Sequence, residues 1–229
     1  MYNKLKKYNL IYDIKTGNIT NLDTGNPLLI FSFDESSQQL VSNNVRIWSL
    51  NKPKMIKITT KVKNNTVGAY SLTPEGVDII TFVENSKAIT LSKTLELIRE
   101  NNPTGDIILM LDNLPSHKAH IFKEKAKELN IDLLPLPTYS PQLQPIEKIW
   151  YSGKRDTSSY KIKNIKTVTK ISKEETKRIL EEEITKSFYN NVTSKNKWNT
   201  IRENYIKPII KLLNPKHNYN WEVQRVNQT

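Results

Sequence analysis

The chain has no cysteine and only three histidines among its 229 residues. Disulfides, iron–sulfur clusters and cysteine-based zinc sites are excluded, and His117, His120 and His217 are too few to suggest a structural zinc. Long apolar runs are also missing. None approaches the ~18–20 residues a membrane-spanning helix needs, and the opening MYNKLKKYNLIYDIK lacks the layout of a signal peptide. No internal repeat is present. A cytoplasmic protein that makes no use of membranes is expected.

The composition that remains, 37% hydrophobic and 25% charged, is that of a globular chain able to bury a proper core. Lys and Arg number 35 against 23 Asp and Glu, a formal charge of +12. Lysine is favoured by the A/T-rich codons that also favour the abundant Ile and Asn, so composition alone is ambiguous. The distribution is more informative. Residues 1–150 carry 18 basic and 15 acidic residues, a net of +3, whereas residues 151–229 carry 17 and 8, a net of +9. The dense stretch from Lys154 to Arg178 reads equally well as a solvated helical surface or as a face for a polyanion such as nucleic acid.

Leu10–Leu22 reads as two short strands about a Thr16-Gly17-Asn18 turn. Leu28–Phe33 is an apolar strand that stops at Asp34. Further strands are expected at Val45–Ser49, Met55–Val62, Thr66–Leu72 and Val77–Val83, in the manner of an antiparallel meander. From Ile89 the period becomes helical and ends at Asn101-Asn102-Pro103. Ile107–Leu111 is a second buried strand ending in an aspartate, Asp112. Pro115–Leu129 reads as a helix and Ile131–Leu136 as a strand. The proline-rich loop PTYSPQLQP then leads from Pro145 into a helix through Glu147 and Trp150. Beyond Gly153 come two more helical stretches. Leu180, Ile184 and Phe188 share a face of the first; Trp198, Ile201, Tyr205, Ile209 and Leu212 share one of the second, with a kink at Pro208. The order is that of an α/β domain with a mixed sheet.

Asp34 and Asp112 end apolar strands, at the sheet edge where α/β sites form, and Glu147 lies in the first turn of a later helix. Three acids converging there repel one another unless protonated or bridged by cations, and hard divalent ions answer that repulsion. Two such ions ~3.5–4 Å apart serve in-line displacement at a phosphodiester. Taken singly, each acid also has an ordinary reading: a strand-ending Asp caps loops, and Glu147 suits a helix start.

The surrounding words are more specific. Phe33-Asp34-Glu35-Ser36, the run from Leu111 to Lys118 (LDNLPSHK) and the run from Leu136 to Trp150 (LPTYSPQLQPIEKIW) resemble the three signatures of DDE transposases, in the insertion-sequence branch related to mariner elements. The resemblance extends from about Leu28 to Ser159. It implies an α/β ribonuclease H-like fold, with a mixed five-stranded central sheet flanked by helices and extra helices at the C-terminal end. It implies cleavage at transposon ends and joining of the freed 3′-hydroxyl to target DNA, commonly at TA, by two Mg²⁺ ions for which Mn²⁺ substitutes. By motif match, Asp34, Asp112 and Glu147 become both the catalytic acids and the metal ligands.

Around them, Glu35, Asn113 and His117 are expected to support the site, although capping or loop-holding suits Asn113 and His117 equally. Tyr139, Ser140 and the prolines shape the loop that aims Glu147. Lys118, Lys148, Lys154, Arg155, Lys161, Lys163 and Lys166 are candidates for contacts to double-stranded DNA. Trp48 and Trp150 are read as core. Gln144 stands where the family has Asn before Pro-Ile-Glu, a mild departure.

The expected organisation is a short segment 1–27 with a hairpin and no helix-turn-helix, a catalytic domain over 28–213, and a polar tail over 214–229. Family members carry a helix-turn-helix region before the first Asp. A separately encoded partner bearing that region is therefore expected, or else the chain is a remnant. Action at two ends implies a dimer on DNA, in a prokaryotic nucleoid. The alternatives are a repurposed fragment that binds DNA or dampens transposition, and another ribonuclease H-like nuclease.

Overall fold

The computed structural model describes residues 8–13, 15–39, 50, 62–138, 140–163, 172–193 and 200–208. β1 (Leu10–Tyr12) and β2 (Ile19–Asn21) form an antiparallel hairpin. Its turn is closed by Gly17, at φ 83°, whose N–H donates to the Asp13 carbonyl at 2.7 Å. A positive φ there suits glycine, which has no Cβ to clash.

The main sheet comprises β3 (Leu28–Gln39), β4 (Lys63–Ser71), β5 (Ile79–Val83), β6 (Asp106–Leu111) and β7 (Ile131–Pro135), in the spatial order β5-β4-β3-β6-β7. β4 is antiparallel to β3 and β5, whereas β6 is parallel to β3 and β7. The parallel steps are made by α1 (Ala88–Asn101) before β6, and by α2 (Pro115–Lys118) and α3 (His120–Glu128) before β7. A 3₁₀ turn (Pro141–Leu143) precedes α4 (Ile146–Lys163), followed by α5 (Lys173–Val192) and a π-helical turn (Arg202–Ile206).

Both faces of the sheet are covered, which explains the unbroken apolar run of β3. Alternate side chains enter opposite cores. Leu29, Phe31 and Phe33 pack with Leu91, Leu95, Ile98 and Phe122 beneath α1 and α3. Leu28 and Ile30 pack with Trp150, Phe188, Ile201 and Tyr205, together with Leu10, Tyr12 and Ile19 of the hairpin. Leu180 and Ile184 close on Val62. The expected shared face of Leu180, Ile184 and Phe188 is therefore the buried face of α5.

Two expectations are corrected. β3 does not end at Asp34: its pairing with β4 continues from Asp34 opposite Gly68 to Gln39 opposite Lys63. The apolar pattern stops because the face beneath α4 turns polar, not because the ladder ends; Asp34, Ser36 and Gln38 are all buried there. The helix expected over Pro115–Leu129 is broken at Ala119, which is extended at φ −62°, ψ 144°. The break lets α3 turn Phe122 and Ala126 into the core while α2 keeps His117 beside β3. The strand expected at Val45–Ser49, most of that at Met55–Val62, and Trp48, Tyr139, Lys166, Trp198, Ile209, Leu212 and the tail lie outside the described residues.

Candidate active site

β3 and β6 are neighbouring parallel strands, and α4 lies across the face of β3 that carries Asp34. Asp34 is buried, and its Oδ2 accepts a hydrogen bond from the indole N–H of Trp150 at 3.1 Å. Burial pushes its carboxyl up to about 8, and the fields of Glu147, Glu35 and Asp112 push in the same direction. Asp34 thus lies near enough to Glu147 and to Asp112 to feel the charge of each. Among the described residues, however, no three His, Asp or Glu side chains are gathered closely enough to enclose a metal ion.

Asp112 follows directly on β6, and its side chain is 44% exposed. Its Oδ1 accepts from the backbone N–H of Leu114 at 2.9 Å and faces Nδ1 of His117 at 2.9 Å. The other ring nitrogen, Nε2, meets Oε1 of Glu35 at 2.9 Å. Strand alternation sends Glu35 to the face opposite Asp34, and there it meets this histidine. His117 is buried against Phe33 and Phe122. Burial opposes its charge, but the hydrogen bond and charge of Glu35, joined by Asp112, outweigh that and raise its pKa. Both nitrogens face carboxylates, so the doubly protonated ring satisfies both partners.

Glu147 is exposed in the first turn of α4. Its helix is anchored just upstream by Gln144, whose Nε2 donates to the Phe33 carbonyl at 3.0 Å. Asn113 donates to the Leu136 carbonyl at 2.6 Å, tying the end of β6 to the chain leaving β7. That is the loop-holding role.

The basic candidates are spread out. Lys118, Lys148, Lys154 and Arg155 are exposed; Lys148 stands 5.5 Å over the Tyr205 ring, and Arg155 Nε is 3.7 Å from Asp156. Lys161 and Lys163 belong to the end of α4. A cavity of about 500 Å³ beside Asp112 is lined by Asn113, His117, Lys118, Lys123 and Lys127 among others.

Three contacts escaped the sequence reading. Trp150 is core, as expected, and its indole N–H also holds Asp34. Gln144 bonds β3, and Gly68 leaves room for the indole: a Cβ there would stand 2.7 Å from Trp150 Cη2. The available signal was a tryptophan three positions after Glu147, since a buried indole N–H requires an acceptor.

A five-stranded mixed sheet whose long first strand carries a buried acid, with a second acid after the adjacent parallel strand and a third on the helix packed over that first strand, is the arrangement expected of a ribonuclease H-like fold. The sequence match is more specific. The profile described as DDE superfamily endonuclease matches residues 29–169, more than half of the chain. The chain belongs to that family. No curated protein matches it. Solved structures with similarity include the Mos1 transposase paired-end complex with left transposon end, at 19% identity and a TM-score of 0.46, over 72% of this chain and 55% of that one. The catalytic domain of Mos1 mariner transposase matches at 17% and 0.39, over 73% and 83%. The catalytic core domain of BIV integrase matches at 17% and 0.40, over 69% and 80%. The chain thus spans just over half the length of the Mos1 chain in the paired-end complex.

Proposed function

We propose that the protein is the catalytic part of a DNA transposase, with Asp34, Asp112 and Glu147 as its metal-binding catalytic acids. The observation that carries this is Asp34: a buried carboxyl whose strongest charged neighbours are other carboxylates, pushed up to about 8. Such a group is costly to ionise alone and suited to a cation. The donors are hard oxygens, which fits Mg²⁺, or Mn²⁺ in its place. When bound, two such ions supply a nucleophile at neutral pH and neutralise charge on the departing oxygen.

The chain's own residues do the rest. Asp34 and Asp112 offer oxygens from neighbouring strands, and Glu147 from a helix start. His117 holds Asp112 by one nitrogen and Glu35 by the other. The reaction is an in-line displacement at phosphorus, carried out twice. Water first attacks the phosphodiester at an element end, leaving a 5′-phosphate and freeing a 3′-hydroxyl. That hydroxyl then attacks a target phosphodiester and forms a new 3′-O–P bond, as the target's own 3′-oxygen leaves and takes up a proton. Lys118, Lys148, Lys154, Arg155, Lys161, Lys163 and Lys166 would hold phosphates without regard to sequence. A dimer on DNA would bring two ends together.

The test is metal-dependent nicking of duplex DNA carrying element ends. Asp112→Ala should reduce the rate by at least about 100-fold, in line with loss of a catalytic electrostatic group. If nicking continues unchanged in that variant, the assignment is wrong.

A further inference from the structure

Trp150 stands one turn after Glu147 on α4, and its ring packs against Phe188 with centroids 5.9 Å apart. Packing leaves its N–H in need of an acceptor, and Oδ2 of Asp34 is that acceptor. The ring lies there because Gly68, directly opposite Asp34 across the β3–β4 ladder, has no side chain. A Cβ at Gly68 would stand 2.7 Å from Cη2 and 2.8 Å from Cζ2 of the indole, inside any real contact. Upstream of Glu147, Gln144 holds the carbonyl of Phe33, the residue before Asp34. The helix that bears Glu147 is thus fastened to the strand that bears Asp34 on both sides of the glutamate.

We propose that Trp150 is a positioning residue of the metal site: its indole N–H fixes the rotation of the Asp34 carboxylate and its separation from Glu147, and Gly68 provides the slot that makes this contact possible. This rests on the metal-binding role given above to Asp34. A carboxylate with one oxygen held by a rigid donor presents the other in a set direction, so part of the ordering cost of metal binding is met in advance. Hydrogen bonds of this kind behind metal ligands typically change metal affinity by about 10- to 100-fold.

The test uses Mn²⁺ binding to the full chain without DNA, read by electron paramagnetic resonance, beside a thermal melt. Trp150→Phe keeps an aromatic ring and removes the N–H. Gly68→Ala leaves every hydrogen-bonding group in place and displaces the indole together with Cδ1 of Ile146, which a Cβ there would approach to 2.8 Å, so Trp150→Phe is the variant that isolates the N–H. Both should weaken Mn²⁺ binding by about 10-fold or more while the protein still melts cooperatively, and Asp34→Asn should abolish tight binding. A tryptophan that merely filled space would lower the melting temperature and leave Mn²⁺ affinity unchanged. That outcome, with Asp34→Asn still abolishing binding, overturns the proposal alone. If Asp34→Asn binds Mn²⁺ like the unaltered protein, the metal reading of the site fails first. If Gly68→Ala melts below the assay temperature, the Trp150→Phe comparison decides.

Discussion

Asp106 and Asp78 show how environment decides what an aspartate becomes. Burial pushes Asp106 up, but donors from Thr24 at 2.7 Å, Asn21 at 2.6 Å and Asn26 at 3.2 Å, together with the charge of Arg99, outweigh it and hold its pKa low. Asp78 is more deeply buried; burial pushes it up to about 7, against the lowering effect of the Ser71 N–H, which donates at 2.7 Å. The consequence for stability has a definite sign. An unfolded aspartate titrates near 3.9, so between about pH 4 and pH 7 the folded chain keeps a proton that the unfolded chain has lost. Asp78 therefore adds stability that is fully present below about pH 4, declines by up to ~1.4 kcal/mol per pH unit through this window, and is gone above about pH 7. Asp78→Asn retains an acceptor for Ser71 and removes the titration. In urea melts from pH 4 to pH 8, the variant should gain on the unaltered protein as pH rises to about 7, then hold a constant lead. A pH-independent difference would mean that Asp78 titrates normally.

At the scale of the element, β3 combines what a sequence reveals with what it hides. Its first half is legible because both faces are covered and every residue from Leu28 to Phe31 is apolar. Its second half, Glu35–Gln39, has no apolar period, and only the ladder with β4 makes it a strand. The site divides in the same way. Asp34, Asp112 and Glu147 stand inside recognisable local words, whereas Trp150 meets Asp34 across 116 positions and His117 meets Glu35 across 82. Contacts of that range leave no periodic trace. The hidden half of β3 also carries a weakness. Ser36 faces Thr66 and Gln38 faces Asn64 beneath α4 and α5, and the buried Ser36 and Thr66 hydroxyls find no hydrogen-bond partner among the described residues. A buried polar atom left unpaired costs about 1–3 kcal/mol. Thr66→Val conserves the shape and removes the hydroxyl, so it should stabilise the protein by about 1 kcal/mol in urea denaturation. A comparable loss would show that water occupies the seam and satisfies the hydroxyl.

At the scale of the molecule, the charge is divided between two tasks. The part that carries the three acids is nearly balanced, and most of the +12 lies after residue 150. An acidic site repels the phosphates it is proposed to cut, so attraction has to come from elsewhere in the chain. α4 joins the two regions: Glu147 lies in its first turn, and Lys154 and Arg155 are exposed further along it. Seven helical residues rise ~10 Å, which places Lys154 within reach of a backbone a few phosphates from the acids. Each phosphate neutralised by the protein releases counterions and steepens the fall of log affinity with log salt by ~0.9. Replacing both Lys154 and Arg155 by alanine should therefore weaken duplex binding equally for unrelated sequences. The salt slope, measured by fluorescence anisotropy at several ionic strengths, should become shallower by about 1 to 2. The same double variant should bind Mn²⁺ like the unaltered protein, because both side chains are exposed on α4 about two turns beyond Glu147. An unchanged slope would remove α4 from the DNA-binding surface and leave the attraction to the rest of the basic C-terminal third.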